Sequence, residues 1–184
     1  GKPSCRAVRR TTGSHLMHHT ATSLRGMVAS PHHLASQAGL DIIRQGGTAA
    51  EACIATASTL SVVYPHMNSI GGDSFWLVSE PDRRVHAIDA CGAAAAKADL
   101  ALYRGLDSIP TRGPLAANTV AGTISGWQAL LDTSGSGLSP QILLNDAITY
   151  AESGVPVTIG GSELAFAKSE ELREQGIERP YQPK

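Results

Sequence analysis

Aromatic residues are scarce: two Trp, four Tyr and two Phe make up 4% of the 184 residues. A core with so few large rings must be filled by small side chains, and a 42% hydrophobic content weighted toward alanine implies closely approaching helices. Cysteine is limited to Cys5, Cys53 and Cys91, which cannot all pair and show no CxxC spacing, so a disulfide framework and a cysteine-based metal or redox centre are excluded. No run of eighteen apolar residues exists, which excludes a transmembrane helix. With no apolar leader either, a reducing, cytoplasmic location is the expectation. Neither sign of charge is in excess: 15 Lys and Arg against 16 Asp and Glu give a net charge of −1. The overall field therefore offers no long-range attraction to nucleic acid or an anionic membrane.

What is present is the balance of a globule, 42% hydrophobic against 17% charged residues, in a length that suits one domain or one piece of a larger one. Residues 1–40 hold five basic groups and no acid. Residues 1–16 lack periodicity and contain Gly13-Ser14-His15, so they read as a tag or disordered leader rather than a nucleic-acid arm, with the native chain (17–184) starting near Met17.

Ser30-Pro31 reads as the cap and first-turn proline of a helix with Leu34, Ala38 and Ile42 on one face, stopped by Gly46-Gly47. Thr48 with Glu51 forms a capping box for a helix over 49–63 that is small or apolar on nearly every side, the pattern of a helix buried all round. The runs 74–79 and 85–89 alternate as strands and predict a hairpin. Further helices are predicted over 119–132, from Ser139-Pro140 to Gly154, and from Ser162 toward Gly176. Strand and crossover helix do not alternate, so an antiparallel sheet covered by helices fits better than a doubly wound parallel sheet. The stretch 180–184 is polar and uncapped, as if the chain were interrupted there.

The residue chemistry is incomplete as a catalytic centre. In the turn 68–75 (NSIGGDSF), Gly71 and Gly72 permit either a tight connection or close approach of another group, and Asn68 and Asp73 read equally as turn formers and as substrate contacts. Gly72-Asp73-Ser74 is similar to the nucleophile turn of GDS-type esterases, but it follows a helix where those follow a strand. The pairs His18-His19 and His32-His33 point about 100° apart on a helix, a poor arrangement for one metal ion, and no HExxH supports a metal site. Gly122 and Gly126 read as helix-packing positions, since no GK[ST] follows them.

Several motifs recur together, however. The block from Gly26 to Val78 with its GGTAAEA helix start and VVYPHMNSIGG turn, then VHAIDACGAAAAKA, then AANTVAGTISGW, resembles the large-subunit half of the γ-glutamyltranspeptidase family over about residues 25–170. The resemblance implies an α+β fold, the four-layer αββα sandwich of N-terminal-nucleophile hydrolases. It also implies a precursor that cleaves itself into a large and a small subunit. The nucleophile would be the threonine that begins the small subunit, its own α-amine serving as base, so no catalytic residue is expected in this chain. Thr11-Thr12 lies upstream of the motifs and takes no such role. The implied partners are that small subunit and a small-molecule amide, without a cofactor or metal, and a dimer of heterodimers is compatible with the family.

One segment departs from the family pattern. Where γ-glutamyl enzymes carry D-x-R-E-x-A-P, whose arginine grips the donor's α-carboxylate, this chain reads Asp89-Ala90-Cys91-Gly92-Ala93-Ala94-Ala95. Cys91 stands at the arginine position and Gly92 at the glutamate position; neither forms a bidentate clamp. The segment is most similar to the oxamate amidohydrolase branch, linked to purine and allantoin breakdown. Asn68, Asp73, Asp89, Cys91 and Arg112 are the candidate substrate-binding residues, Arg112 as a cation that could reach in from another segment. Asp89 reads first as a residue satisfying backbone amides, and Cys91 first as a packed thiol and second as pocket lining. A γ-glutamyl hydrolase or transferase with a relocated clamp, and a non-processing homologue with a binding role, are the alternatives.

Overall fold

The organising element of the computed structural model, which describes residues 20–135 and 137–174, is helix α2, Ala49–Val63. Its capping box forms as the sequence predicts: Thr48 Oγ accepts the Glu51 amide at 3.2 Å and Glu51 Oε2 accepts the Thr48 amide at 2.7 Å. Buried residues lie on every side of α2, from Ala50 to Val63. Helix α1, His33–Arg44, lays Ala35, Ala38, Gly39 and Ile42 along it. A β-carbon on Gly39 would meet the Ala52 carbonyl at 2.9 Å, so the two backbones approach as closely as the small-residue composition implies. Ile42, Ile54, Ala55, Trp127, Leu130 and Leu143 join in one core.

The start of α1 differs from expectation. His32, not Ser30, is the cap: its Nδ1 accepts the Leu34 amide at 3.3 Å, while Ser30 Oγ donates to the His32 carbonyl at 2.8 Å and shares a hydrogen bond with Ser36. Pro31 therefore precedes the helix. Gly46, at φ +86°, ends it as predicted.

Strands β1 (Ser74–Ser79) and β2 (Val85–Ala90) form the predicted hairpin, one residue longer than expected, with Ser74 opposite Ala90 and Ser79 opposite Val85. Trp76, Val78 and Ile88 turn inward against the core. Phe75, Leu77 and Val85 turn outward and are 68, 81 and 65% exposed, leaving an apolar sheet face uncovered by described residues. The architecture is α+β, with helices over one face of an antiparallel pair of strands among the described residues.

Helix α3 spans Thr123–Ser134 and starts later than predicted, because Thr119 and Val120 are drawn into extended pairing with the segment after β2: the Val120 amide donates to the Ala93 carbonyl at 2.9 Å. A short 3-10 turn, Pro114–Ala116, precedes it. The helix predicted from Ser139 to Gly154 divides at Leu144 into α4 (Pro140–Leu143) and α5 (Asn145–Ser153), which lets both Leu143 and Leu144 pack on the core. Two adjacent positions on one continuous helix would diverge by about 100°. The next helix, α6 (Ile159–Ala167), is capped by Thr158 rather than opened by Ser162, because Thr158 Oγ accepts the Gly161 amide at 3.1 Å. Helix α7 covers Ser169–Glu174. No helix of the described residues is long and apolar enough to cross a membrane. The leader 1–16, Thr11-Thr12, His18-His19 and the 180–184 stretch lie outside the described residues.

Candidate functional site

Three sequence segments that are distant in the chain meet at one end of the hairpin. The turn before β1, the residues following β2 and the start of α3 are joined through Gly72, whose carbonyl accepts the Gly122 amide at 2.9 Å, the Thr123 amide at 2.9 Å and Thr123 Oγ at 2.7 Å. The glycines make this approach feasible. A β-carbon on Gly92 would overlap the Val120 carbonyl, one on Gly122 would overlap that of Ala90, and one on Gly126 would lie 2.7 Å from the Ala90 methyl. The predicted packing role of Gly122 and Gly126 is thereby given a structural basis.

On this frame Asp73, Asp89 and Cys91 come together. Asp73 Oδ1 accepts the Gly92 amide at 3.2 Å and its Oδ2 accepts the Cys91 thiol at 3.4 Å, so one carboxylate bridges the two segments. Asp89 Oδ1 accepts the Cys91 amide at 2.9 Å, the backbone-satisfying role read for it first. The hydrogen bond to Asp73 pushes the Cys91 thiol above its ordinary pKa, with lost hydration and the charges of Asp73 and Asp89 acting in the same direction. An exposed thiol whose hydrogen bond favours the protonated form is a poor nucleophile. Replacing Asp73 by Asn removes that charge: Cys91 is then alkylated by iodoacetamide faster at pH 8 than in the wild type, and the pH midpoint of alkylation moves down. An unchanged midpoint contradicts the pairing.

The remaining candidates lie elsewhere. Asn68 turns its Oδ1 to the Ser69 amide at 2.8 Å and borders an apolar cleft of about 430 Å³ with Ile124, Trp127 and Ile148. Arg112 is ion-paired with Glu171 of α7, which also receives Lys168 at 2.7 Å. The Lys168 hydrogen bond, followed by that of Arg112, holds the Glu171 carboxyl below its usual range. Arg112 is thus engaged away from the Asp73 and Cys91 pair. Ser74 Oγ accepts the Trp76 indole N–H at 3.1 Å and donates to the Thr123 carbonyl at 3.4 Å, a packing role that offers no base. His32 caps α1 and stacks on His33 with ring centroids 4.8 Å apart. Among the described residues no group of three or more His, Cys, Asp or Glu could hold a metal ion.

Thr123 is the residue that sequence reasoning passed over. It is only 5% exposed, yet its side chain bonds to Gly72 and, at 3.3 Å, to the Asp73 carbonyl. A hydroxyl placed between two packing glycines, where the helix begins, was the available signal.

The assembled frame is made of the segments that carry the family resemblance, and the comparisons agree with it. The sequence profile of the gamma-glutamyltranspeptidase family matches residues 35–182. Among curated relatives, the oxamate amidohydrolase proenzyme of Klebsiella pneumoniae is 52% identical over 163 residues, which is 86% of this chain and 31% of that protein. The glutathione hydrolase-like YwrD proenzyme of Bacillus subtilis is 40% identical over 143 residues, 77% of this chain and 27% of that protein. The chain therefore spans less than a third of the length of either. Among solved structures, the γ-glutamyltranspeptidase of Helicobacter pylori superposes with a TM-score of 0.76 at 26% identity, covering 88% of this chain and 46% of that one. The cephalosporin acylase of Bacillus halodurans gives 0.72 at 31% identity, covering 86% and 31%. Sequence profile, relatives and fold converge, and the chain belongs to the γ-glutamyltranspeptidase family.

Proposed function

We propose that this chain is the large-subunit portion, residues 17–184, of an autoprocessed amidohydrolase that acts on a small carboxylate-bearing amide of the oxamate type. The observation that carries the reading is the Cys91-Gly92 pair. It replaces the arginine and glutamate of the γ-glutamyl clamp, and Gly92 is closed against the Val120 carbonyl, so no larger side chain fits at that position. The 52% identity to an oxamate amidohydrolase proenzyme supports the same substrate class.

In this reading the threonine at the start of the small subunit attacks the amide carbonyl, and its α-amine takes the hydroxyl proton. The C–N bond then breaks, the amine returns the proton to the departing ammonia, and water hydrolyses the resulting ester. Asp73, Asp89 and Cys91 form one wall of the pocket; among the described residues that wall carries no cation, so the donors for the substrate's carboxylate belong to the small subunit. Asn68 and Arg112 complete the proposed lining only if the partner brings their segments nearer. A γ-glutamyl enzyme with a relocated clamp would require Arg112 to leave Glu171.

The small subunit supplies strands over Phe75, Leu77 and Val85, completing the αββα stack, and such heterodimers pair further. No cofactor takes part. Free Cys53 and Cys91 are compatible with a cytoplasmic enzyme in purine breakdown. The assembled enzyme should release ammonia from oxamate and leave γ-glutamyl-p-nitroanilide intact. Turnover of the second substrate alone removes the amidohydrolase reading, and a single unprocessed chain points to a binding homologue.

A further inference from the structure

We infer that Thr123 is the positioning residue of this wall, fixing the Asp73 carboxylate and, through it, the Cys91 side chain and the Gly92 amide. The inference deepens the amidohydrolase reading and rests on it for the role of the wall.

Thr123 contacts three consecutive residues of the turn. Its amide and Oγ both donate to the Gly72 carbonyl, its Oγ also lies 3.3 Å from the Asp73 carbonyl, and its own carbonyl receives Ser74 Oγ at 3.4 Å. Asp73 is thus gripped on both sides along the backbone, while its side chain reaches across to Cys91 and Gly92. A second constraint is steric and independent of those bonds. Gly92 abuts Val120 and Gly122 abuts Ala90, so the start of α3 is wedged against the residues following β2. The distance between Asp73 and Cys91 is therefore set by α3, with Thr123 as the only side chain at the junction that hydrogen-bonds to the Gly72 carbonyl among the described residues. Burial of Thr123 keeps water from replacing its hydroxyl. The raised pKa of Cys91 reports on the same geometry, because it depends first on the Asp73 hydrogen bond.

The test uses the assembled two-subunit enzyme with Thr123→Val, which keeps the shape and loses the hydroxyl, and Thr123→Ser, which keeps the hydroxyl. Alkylation of Cys91 by iodoacetamide is followed across pH by mass spectrometry of its peptide. Thr123→Val is expected to move the alkylation midpoint to lower pH and to raise KM for oxamate by about tenfold, the loss of roughly one hydrogen bond, with kcat changing by less than about twofold. Thr123→Ser leaves both near wild type. A wild-type midpoint in Thr123→Val, or Thr123→Ser behaving like Thr123→Val, overturns the assignment. Amide hydrogen exchange on the unaltered enzyme needs no variant: Gly92 and Thr123 amides are expected to be protected together, and a freely exchanging Gly92 amide beside a protected Thr123 amide also overturns it. A shifted Cys91 midpoint in an enzyme inert toward oxamate retains the positioning role and removes the oxamate reading instead.

Discussion

Gly92→Ala is expected to lower the melting temperature of the assembled protein by roughly 2 to 4 °C. The added methyl would occupy the space of the Val120 carbonyl, in a residue held by the hydrogen bond that its amide donates to the Ala93 carbonyl. Relief requires the start of α3 to shift away from the turn, and Gly122 leaves little room because it is pressed against Ala90. Overpacking of this kind costs about 3 kcal/mol, and each kcal/mol corresponds to about 1 °C in an assembly roughly three times the length of this chain. The same crowding bears on specificity. The double variant Cys91→Arg, Gly92→Glu restores the residues of the γ-glutamyl clamp on paper, yet it is expected to be less stable than wild type and inactive toward γ-glutamyl-p-nitroanilide. A stable double variant that cleaves that substrate would show that the wall adapts freely and that the departure at Cys91-Gly92 does not define the substrate.

Glu51→Ala is expected to cost about 3 to 5 kcal/mol, because several donors lose a charged acceptor at once. The Glu51 side chain is 1% exposed. Besides the Thr48 amide, it accepts the Gly137 amide at 2.9 Å and the Leu138 amide at 2.8 Å, so it fastens the connection between α3 and α4 to the first turn of α2. Removing it leaves three partly buried N–H groups without that partner, whereas Glu51→Gln keeps one carbonyl oxygen and should lose roughly half as much. Urea unfolding of the assembled protein, monitored by circular dichroism, measures the difference. Equal midpoints for Glu51→Ala and wild type would mean that the carboxylate contributes no more to stability than an exposed capping residue.

These two positions also show what a sequence discloses. The Thr48 and Glu51 capping box was legible because both partners lie within one helical turn and the pattern is local. Its reach to Gly137 and Leu138 was not, because those residues lie 86 and 87 positions away and meet Glu51 only after α3 and α4 pack. The hairpin was legible from alternation, and the buried α2 from its uniform small and apolar composition. The start of α3 was misplaced because Thr119 and Val120, with helix-compatible neighbours, are captured by the extended segment at Ala93–Ala95, a tertiary preference that no local signal carries. The true cap of α1 was missed because histidine is an unusual capping residue and Ser30-Pro31 offered a more familiar pattern.

The candidate site divides in the same way. Folding brings Asp73 and Asp89 each into hydrogen bonding with Cys91. Asn68 and Arg112 do not join them: the chain directs one toward an apolar cleft and the other to Glu171. Thr123 is less legible because the glycines on either side of it account for the motif as packing, and its hydrogen bond forms only when Gly72 is brought within 2.7 Å of its hydroxyl.

The central claim is that this polypeptide shapes a pocket whose reactive group arrives on another chain. The most direct measurement compares ammonia release from oxamate by this chain purified alone with release by the assembled enzyme, together with N-terminal sequencing of the second polypeptide. The account predicts no turnover by the chain alone, turnover by the pair, and threonine at the first position of the partner. Amide hydrolysis by the isolated chain would contradict it.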